Sequence, residues 1–161
     1  MLSRILKNQI LRPSIKFKTI IFMITCTRKI EFDAAHRVME HQSQCKMLHG
    51  HRYVIEATFE AAQLDKLGMV IDFGVIKEIL GGWIDKNWDH NTILNIADKV
   101  LGDEIAKITG QKIYYLKGNP TAENMAEYLC VEICPKLFLD KNITCKKIKL
   151  FETPNCYAQS E

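Results

Sequence analysis

Residues 36–51 read HRVMEHQSQCKMLHGH, and the reading of this stretch decides the fold of the chain. It carries His36, Cys45 and the triplet His49-Gly50-His51 in a segment of hairpin size. If His51 opens a strand, side chains two residues apart project to the same side, so His49 and His51 share a face. An imidazole from the end of a neighbouring strand completes a three-histidine face. Three protein ligands with a fourth position left open for water or substrate is the ligand set of a catalytic zinc.

Outward from this stretch the sequence alternates. Downstream, one face reads His51, Tyr53, Ile55, Ala57, Phe59 and the other Arg52, Val54, Glu56, Thr58, Glu60. Upstream, His36, Ala34, Phe32 and Ile30 oppose Ala35, Asp33, Glu31 and Lys29. Both segments read as strands, paired antiparallel, with their histidines on the apolar, covered face. One histidine on such a face is ordinarily a hydrogen-bonded core residue. Three of the chain's five histidines converging at strand ends point instead to a ligand set.

A length of 161 residues suits one domain with its own core, here 23–161. The hydrophobic and charged fractions, 47% and 25%, are those of an ordinary soluble protein, and no apolar run is long enough to span a membrane. The net charge of +3 misleads, because residues 1–22 hold Arg4, Lys7, Arg12, Lys16 and Lys18 and no acid. Without those five, 17 of the 22 basic residues remain against 19 acidic ones, so no nucleic-acid face is expected. Three readings of 1–22 stand side by side. It is an upstream extension with the natural start at Met23, an acid-free targeting segment, or a disordered or membrane-surface arm. The six cysteines are scattered, unlike a secreted disulfide framework, which implies a reducing, cytoplasmic compartment. Cys130 and Cys134, one helical turn apart, read as small buried helix residues in preference to a metal pair.

Further along, the pattern predicts a helix from Phe73 to about Asn87, with Asp72 as its cap and Ile76, Ile79, Leu80, Trp83 and Ile84 on one face. Trp88 to Asn91 reads as a loop, Ala97 to Thr109 as a short helix and Lys112 to Leu116 as a strand. Thr121 to Leu137 is a second main helix, with Asn119 or Thr121 as cap and Pro120 suited to its start. Lys146 to Thr153 is the last strand. It places Glu152 on the face of Ile148 and Leu150, where a carboxylate lies near an exposed strand end or is held by a partner. The expected fold class is α+β: a four-stranded antiparallel sheet with two main helices on one face.

Taken together, Phe32-Asp33-Ala34-Ala35-His36, Cys45-x3-His49-Gly50-His51, Val70-Ile71-Asp72-Phe73, Asp89-His90, Asn119-Pro120-Thr121-Ala122-Glu123 and Phe151-Glu152-Thr153 form an ordered set spanning about 25–157. This set resembles the 6-pyruvoyl-tetrahydropterin synthase / 6-carboxy-tetrahydropterin synthase family. The resemblance implies a tunnelling fold (T-fold), in which trimers close their sheets into a barrel and two trimers stack as a homo-hexamer with sites between subunits. The pyruvoyl branch has a longer spacing between the thiol and the His-Gly-His motif. Here only Lys46, Met47 and Leu48 intervene, which resembles the 6-carboxy branch of queuosine and 7-deazaguanine biosynthesis.

That resemblance implies a zinc-dependent lyase converting 7,8-dihydroneopterin triphosphate to 6-carboxy-5,6,7,8-tetrahydropterin, acetaldehyde and triphosphate. His36, His49 and His51 hold Zn2+, and Cys45 is the general base. Asp89 and His90 form a second acid/base unit, and Glu152 accepts from the pterin amino group and ring N–H. Thr121 and Glu123 line the pterin pocket or serve only as a helix start. Arg37 and Lys46 are triphosphate candidates by proximity. The alternatives are a pyruvoyl synthase using the same substrate without side-chain cleavage, a cyclohydrolase-like enzyme acting on GTP, and a non-catalytic zinc-binding assembly module. Cys45 as a fourth ligand would make the zinc site structural.

Overall fold

The computed structural model describes residues 23–161. The readings of 1–22 lie outside the described residues. The alternation read above produces the two longest strands, β1 (Thr25–His36) and β2 (His49–Glu60). They pair antiparallel with Ala34 opposite His51 and His36 opposite His49. Ile30, Phe32 and Ala34 of β1 and Tyr53, Ile55, Ala57 and Phe59 of β2 are buried on one shared face. The residues between them, 37–48, form a loop with one 3-10 turn at Gln44–Lys46.

The sheet then grows in both directions to the order β4-β3-β1-β2-β5-β6. β5 (Thr144–Thr153) adds antiparallel to β2, and β6 (Cys156–Ser160) adds antiparallel to β5. On the other side β3 (Asn91–Asn95) runs parallel to β1, and β4 (Ile113–Leu116) runs parallel to β3. The expected four-stranded antiparallel sheet is thus a six-stranded mixed one. β3 escapes alternation because Thr92, Ile93 and Leu94 are all buried, so its two faces look alike in sequence. β6 escapes because it is a short edge strand with mostly exposed residues.

Helix α1 (73–87) carries the chain from β2 past β1 to β3, so that β3, opposite in direction to β2, lies beside β1 and parallel to it. The Asp72 carboxylate caps it by accepting from the Gly74 N–H at 2.6 Å. Helix α3 (122–137) is capped by Thr121 and precedes β5. Ile76, Leu80 and Ile84 from α1 join Met125, Leu129 and Ile133 from α3 in the same core cluster as the strand side chains. The two main helices therefore cover one face, as expected. Each carries a wide π turn, at Lys77–Gly81 and Tyr128–Ile133. Helix α2 (Lys99–Thr109) links β3 to β4 and packs its Gly102 against Tyr115 and Ile113, whose neighbour Tyr114 faces the main core. It covers the opposite side of the sheet at that edge. Among the described residues, no helix is long and apolar enough to cross a membrane.

Candidate metal centre and its surroundings

The β1–β2 register delivers what the spacing predicts. His36 ends one strand, His49 and His51 open the next, and all three imidazoles lie on the core-side face at its open end. One ring nitrogen from each lies within 4.8 Å of the others. Their ring centroids are 4.6, 5.1 and 4.9 Å apart. Among the described residues this is the one His/Cys/Asp/Glu cluster with metal-ligand spacing.

The outer nitrogens set the tautomers. His36 Nδ1–H donates to the Pro120 carbonyl at 2.7 Å, and His49 Nδ1–H donates to the Met47 carbonyl at 2.7 Å. With Nδ1 carrying the donated proton in both rings, the two Nε2 atoms are turned inward and face each other at 3.2 Å. Two acceptors pointed at one another call for a cation between them. The His51 Nε2 is also buried and, among the described residues, without a hydrogen-bond partner. Burial holds His36 and His51 below the ordinary imidazole pKa, with the neighbouring imidazoles adding to the effect and Glu152 opposing it. Converging imidazoles, two of them held by back-side carbonyl bonds, fit a bound metal, and three nitrogens with an open side fit zinc.

A cavity of about 230 Å³ opens beside the imidazoles. His36, Cys45, Thr121, Glu123 and Glu152 line it, so five of the predicted residues come together. Cys45 rides on the 3-10 turn of the 37–48 loop and lies outside the ligand cluster. Glu152 extends from the end of β5, with its Oε1 3.3 Å from His36 Nε2 and 3.8 Å from His51 Nε2. Thr121 both lines the cavity and caps α3, accepting from the Asn124 N–H at 3.3 Å. Its two candidate roles are therefore compatible. His41, Cys156 and Tyr157 also line the cavity and were not singled out from the sequence. The last two were missed with β6, which folds back after Glu152 and Thr153.

Asp89 and His90 are not in this cavity. They lie between α1 and β3, where Asp89 accepts from the Asp33 N–H at 2.9 Å and from His90 Nδ1–H at 2.8 Å. Asp33 and Arg52 belong to the sheet face turned away from the core, and with His90 and the triad's own His51 they line a second depression at that end of the hairpin. His90 has a left-handed backbone, with φ 55°, held by its N–H to the Asp33 carbonyl and its own carbonyl to Gln111. The Asp89 carboxylate raises the His90 pKa. Burial works to raise that of Asp89, but the Asp33 N–H and His90 outweigh it and lower it.

Arg37 is committed elsewhere. Its guanidinium grips the buried Asp98 through two hydrogen bonds, Nε to Oδ2 and Nη2 to Oδ1. That leaves Lys46 as the exposed cation of the loop named beforehand. Asn119 was read only as a cap, yet its side chain accepts from the Met39 N–H at 3.0 Å and donates to the Met39 carbonyl at 3.1 Å. It ties the 37–48 loop to the residue whose carbonyl orients His36. A larger depression of about 450 Å³, lined by Tyr115, Lys117, Tyr128 and Glu132 among others, contains none of the predicted site residues.

The structure is a mixed α+β sheet whose central hairpin gathers three imidazoles, one of them lining a cavity shared with a thiol and a carboxylate, and that combination of fold and site defines its class of protein. Residues 25–161 match the 6-pyruvoyl tetrahydropterin synthase family, and the chain belongs to that family. It is 57% identical to the 6-carboxy-5,6,7,8-tetrahydropterin synthase of Rickettsia conorii over 85% of this chain and 99% of the relative. An uncharacterized Wolinella succinogenes protein of known structure shares the fold with a TM-score of 0.73 and 19% identity, covering 87% of this chain and 98% of its own. The Caenorhabditis elegans 6-pyruvoyl tetrahydropterin synthase structure does so with a TM-score of 0.63 and 22% identity, covering 88% and 96%. These likenesses support the T-fold reading of the sheet and helices.

Proposed function

We propose that the protein is a zinc-dependent 6-carboxy-tetrahydropterin synthase of queuosine and 7-deazaguanine biosynthesis. In this reading it converts 7,8-dihydroneopterin triphosphate to 6-carboxy-5,6,7,8-tetrahydropterin, acetaldehyde and triphosphate. The observation that carries the proposal is the pair of inward Nε2 atoms of His36 and His49 facing each other at 3.2 Å beside Cys45 and Glu152. The 57% identity to a protein of that name supports the branch, as does the three-residue spacing from Cys45 to His49.

The bound zinc supplies Lewis acidity toward the side-chain hydroxyls. Within the chain, Glu152 receives the pterin amino group and ring N–H in a two-pronged contact. Thr121 and Glu123 line the approach. Cys45 is the general base that takes the side-chain carbon-bound proton. His90, oriented and kept protonatable by Asp89, is the acid/base partner. Because Asp89 and His90 lie outside the cavity, and 230 Å³ is small against the about 300–1,000 Å³ of ordinary ligand pockets, the pair serves the site of a neighbouring copy in a homo-hexamer. The six cysteines, all free, support a reducing, cytoplasmic location.

Product analysis tests this. Zinc-loaded protein is incubated with 7,8-dihydroneopterin triphosphate, with Cys45→Ala alongside. The expected result is carboxy-tetrahydropterin and acetaldehyde from the wild type, reduced about 10²–10⁴-fold in the variant with zinc retained. A pyruvoyl product would keep the site and change the branch. Zinc binding with no turnover would sink the enzyme reading on this substrate and leave a zinc-binding assembly module.

A further inference from the structure

Tyr53 forms the floor of the triad. Its side chain is fully buried, and its hydroxyl has no hydrogen-bond partner among the described residues. The ring cannot swing away. It stacks on Phe32 with centroids 5.0 Å apart at 15°, and stands edge-on to His36 and His51 at 5.8 and 5.6 Å. Buried hydroxyls in native proteins are nearly always paired, and an unpaired one destabilises the fold. A phenylalanine would fill this place without that penalty. The hydroxyl therefore has a use in a state where it finds an acceptor.

The β2–β5 ladder points to an acceptor. It ends at Val54 opposite Phe151, which leaves Tyr53 and Glu152 as the next residues of the two strands, both on the triad side. The Glu152 carboxylate stands by the His36 and His51 Nε2 atoms. Those nitrogens are the metal-facing ones, and once they are committed to a cation the carboxylate needs another donor. It has about four lone-pair sites, more than a pterin's two N–H groups consume.

We infer that Tyr53 is a positioning residue: its hydroxyl donates to the Glu152 carboxylate in the ligand-bound protein and holds it toward the N–H edge of the pterin. The inference rests on the pterin reading of Glu152 given above. It goes beyond that reading by assigning a specificity role to a core aromatic that touches neither substrate nor metal. It also implies a trade, with the metal-free, ligand-free protein less stable than its Tyr53→Phe variant.

The test uses the zinc-loaded full chain and neopterin, an unreactive pterin, with affinity read by fluorescence. Tyr53→Phe is expected to weaken neopterin about tenfold or more, with zinc stoichiometry unchanged, and to raise the Tm of the metal-free protein by about 2 °C or more. In a Glu152→Gln background the added effect of Tyr53→Phe on neopterin binding should largely vanish. Equal affinity in wild type and variant overturns the inference. So does an undiminished penalty in Glu152→Gln, loss of zinc from Tyr53→Phe, or a lowered metal-free Tm. Failure of the wild type to bind neopterin falls on the pterin reading itself, and the inference falls with it.

Discussion

Histidine occurs in two opposed settings at the two faces of this sheet. In the triad, burial keeps His36 and His51 uncharged, and backbone carbonyls of Pro120 and Met47 turn the Nε2 atoms of His36 and His49 inward. At the other face His90 is 78% exposed and leans on the Asp89 carboxylate, which favours its charged form. One side chain type is thereby biased in opposite directions, away from the charged form at His36 and His51 and toward it at His90. Desolvation decides the first and a carboxylate neighbour the second. The backbone enforces both arrangements, through strand-end geometry in one case and a left-handed residue in the other.

The most damaging way to break the contrast is to remove one inward nitrogen. His49→Ala should abolish stoichiometric zinc binding and take turnover to background, with elemental analysis of the purified protein as the check. Retention of zinc would show that the cluster is not the metal site. Next in size is Asp89→Asn. Removing the carboxylate lets the His90 pKa fall back toward its ordinary value, so the protonated imidazole is lost at lower pH. The alkaline limb of the rate profile should move to lower pH, with a fall in kcat of about 10²-fold or more and no change in zinc content. If Asp89 and His90 serve a neighbouring copy, mixing Cys45→Ala and His90→Ala subunits should restore part of the activity that neither homo-oligomer has. A smaller effect is expected from Asn119→Ala, which frees Met39 of the 37–48 loop from residue 119 and loosens the segment that carries the Pro120 carbonyl. Zinc affinity should drop about tenfold in a competition titration with a chromophoric chelator, and an unchanged affinity would confine Asn119 to loop stability.

The central hairpin was legible because alternation over β1 and β2 is nearly complete, and the same alternation fixed the side on which each histidine sits. The ends of the sheet were not. β3 is buried on both faces, so the Thr92-Ile93-Leu94 run carries no period, and β6 is too short and too exposed to announce itself. Within the site, side chains were readable and carbonyls were not. Nothing in the letters Pro120 or Met47 says that their main-chain oxygens hold the imidazole tautomers. The isolation of Asp89 and His90 from the cavity was likewise invisible, since adjacency in a motif says nothing of which sheet face a loop residue meets. Arg37 misled for the opposite reason: its partner Asp98 lies 61 residues away.

The hairpin origin of the triad also bears on how the chain folds. His36 and His49 are 13 residues apart, so closing one short loop brings the ligands together, an event on the timescale of microseconds. The Pro120 carbonyl that orients His36 lies 84 residues away and arrives only with the long-range packing of α3. The ligand set can thus exist in the transition state before the groups that tune it. Metal present during refolding should therefore speed the folding limb, whereas substitutions at Asn119 should show mainly in the unfolding limb.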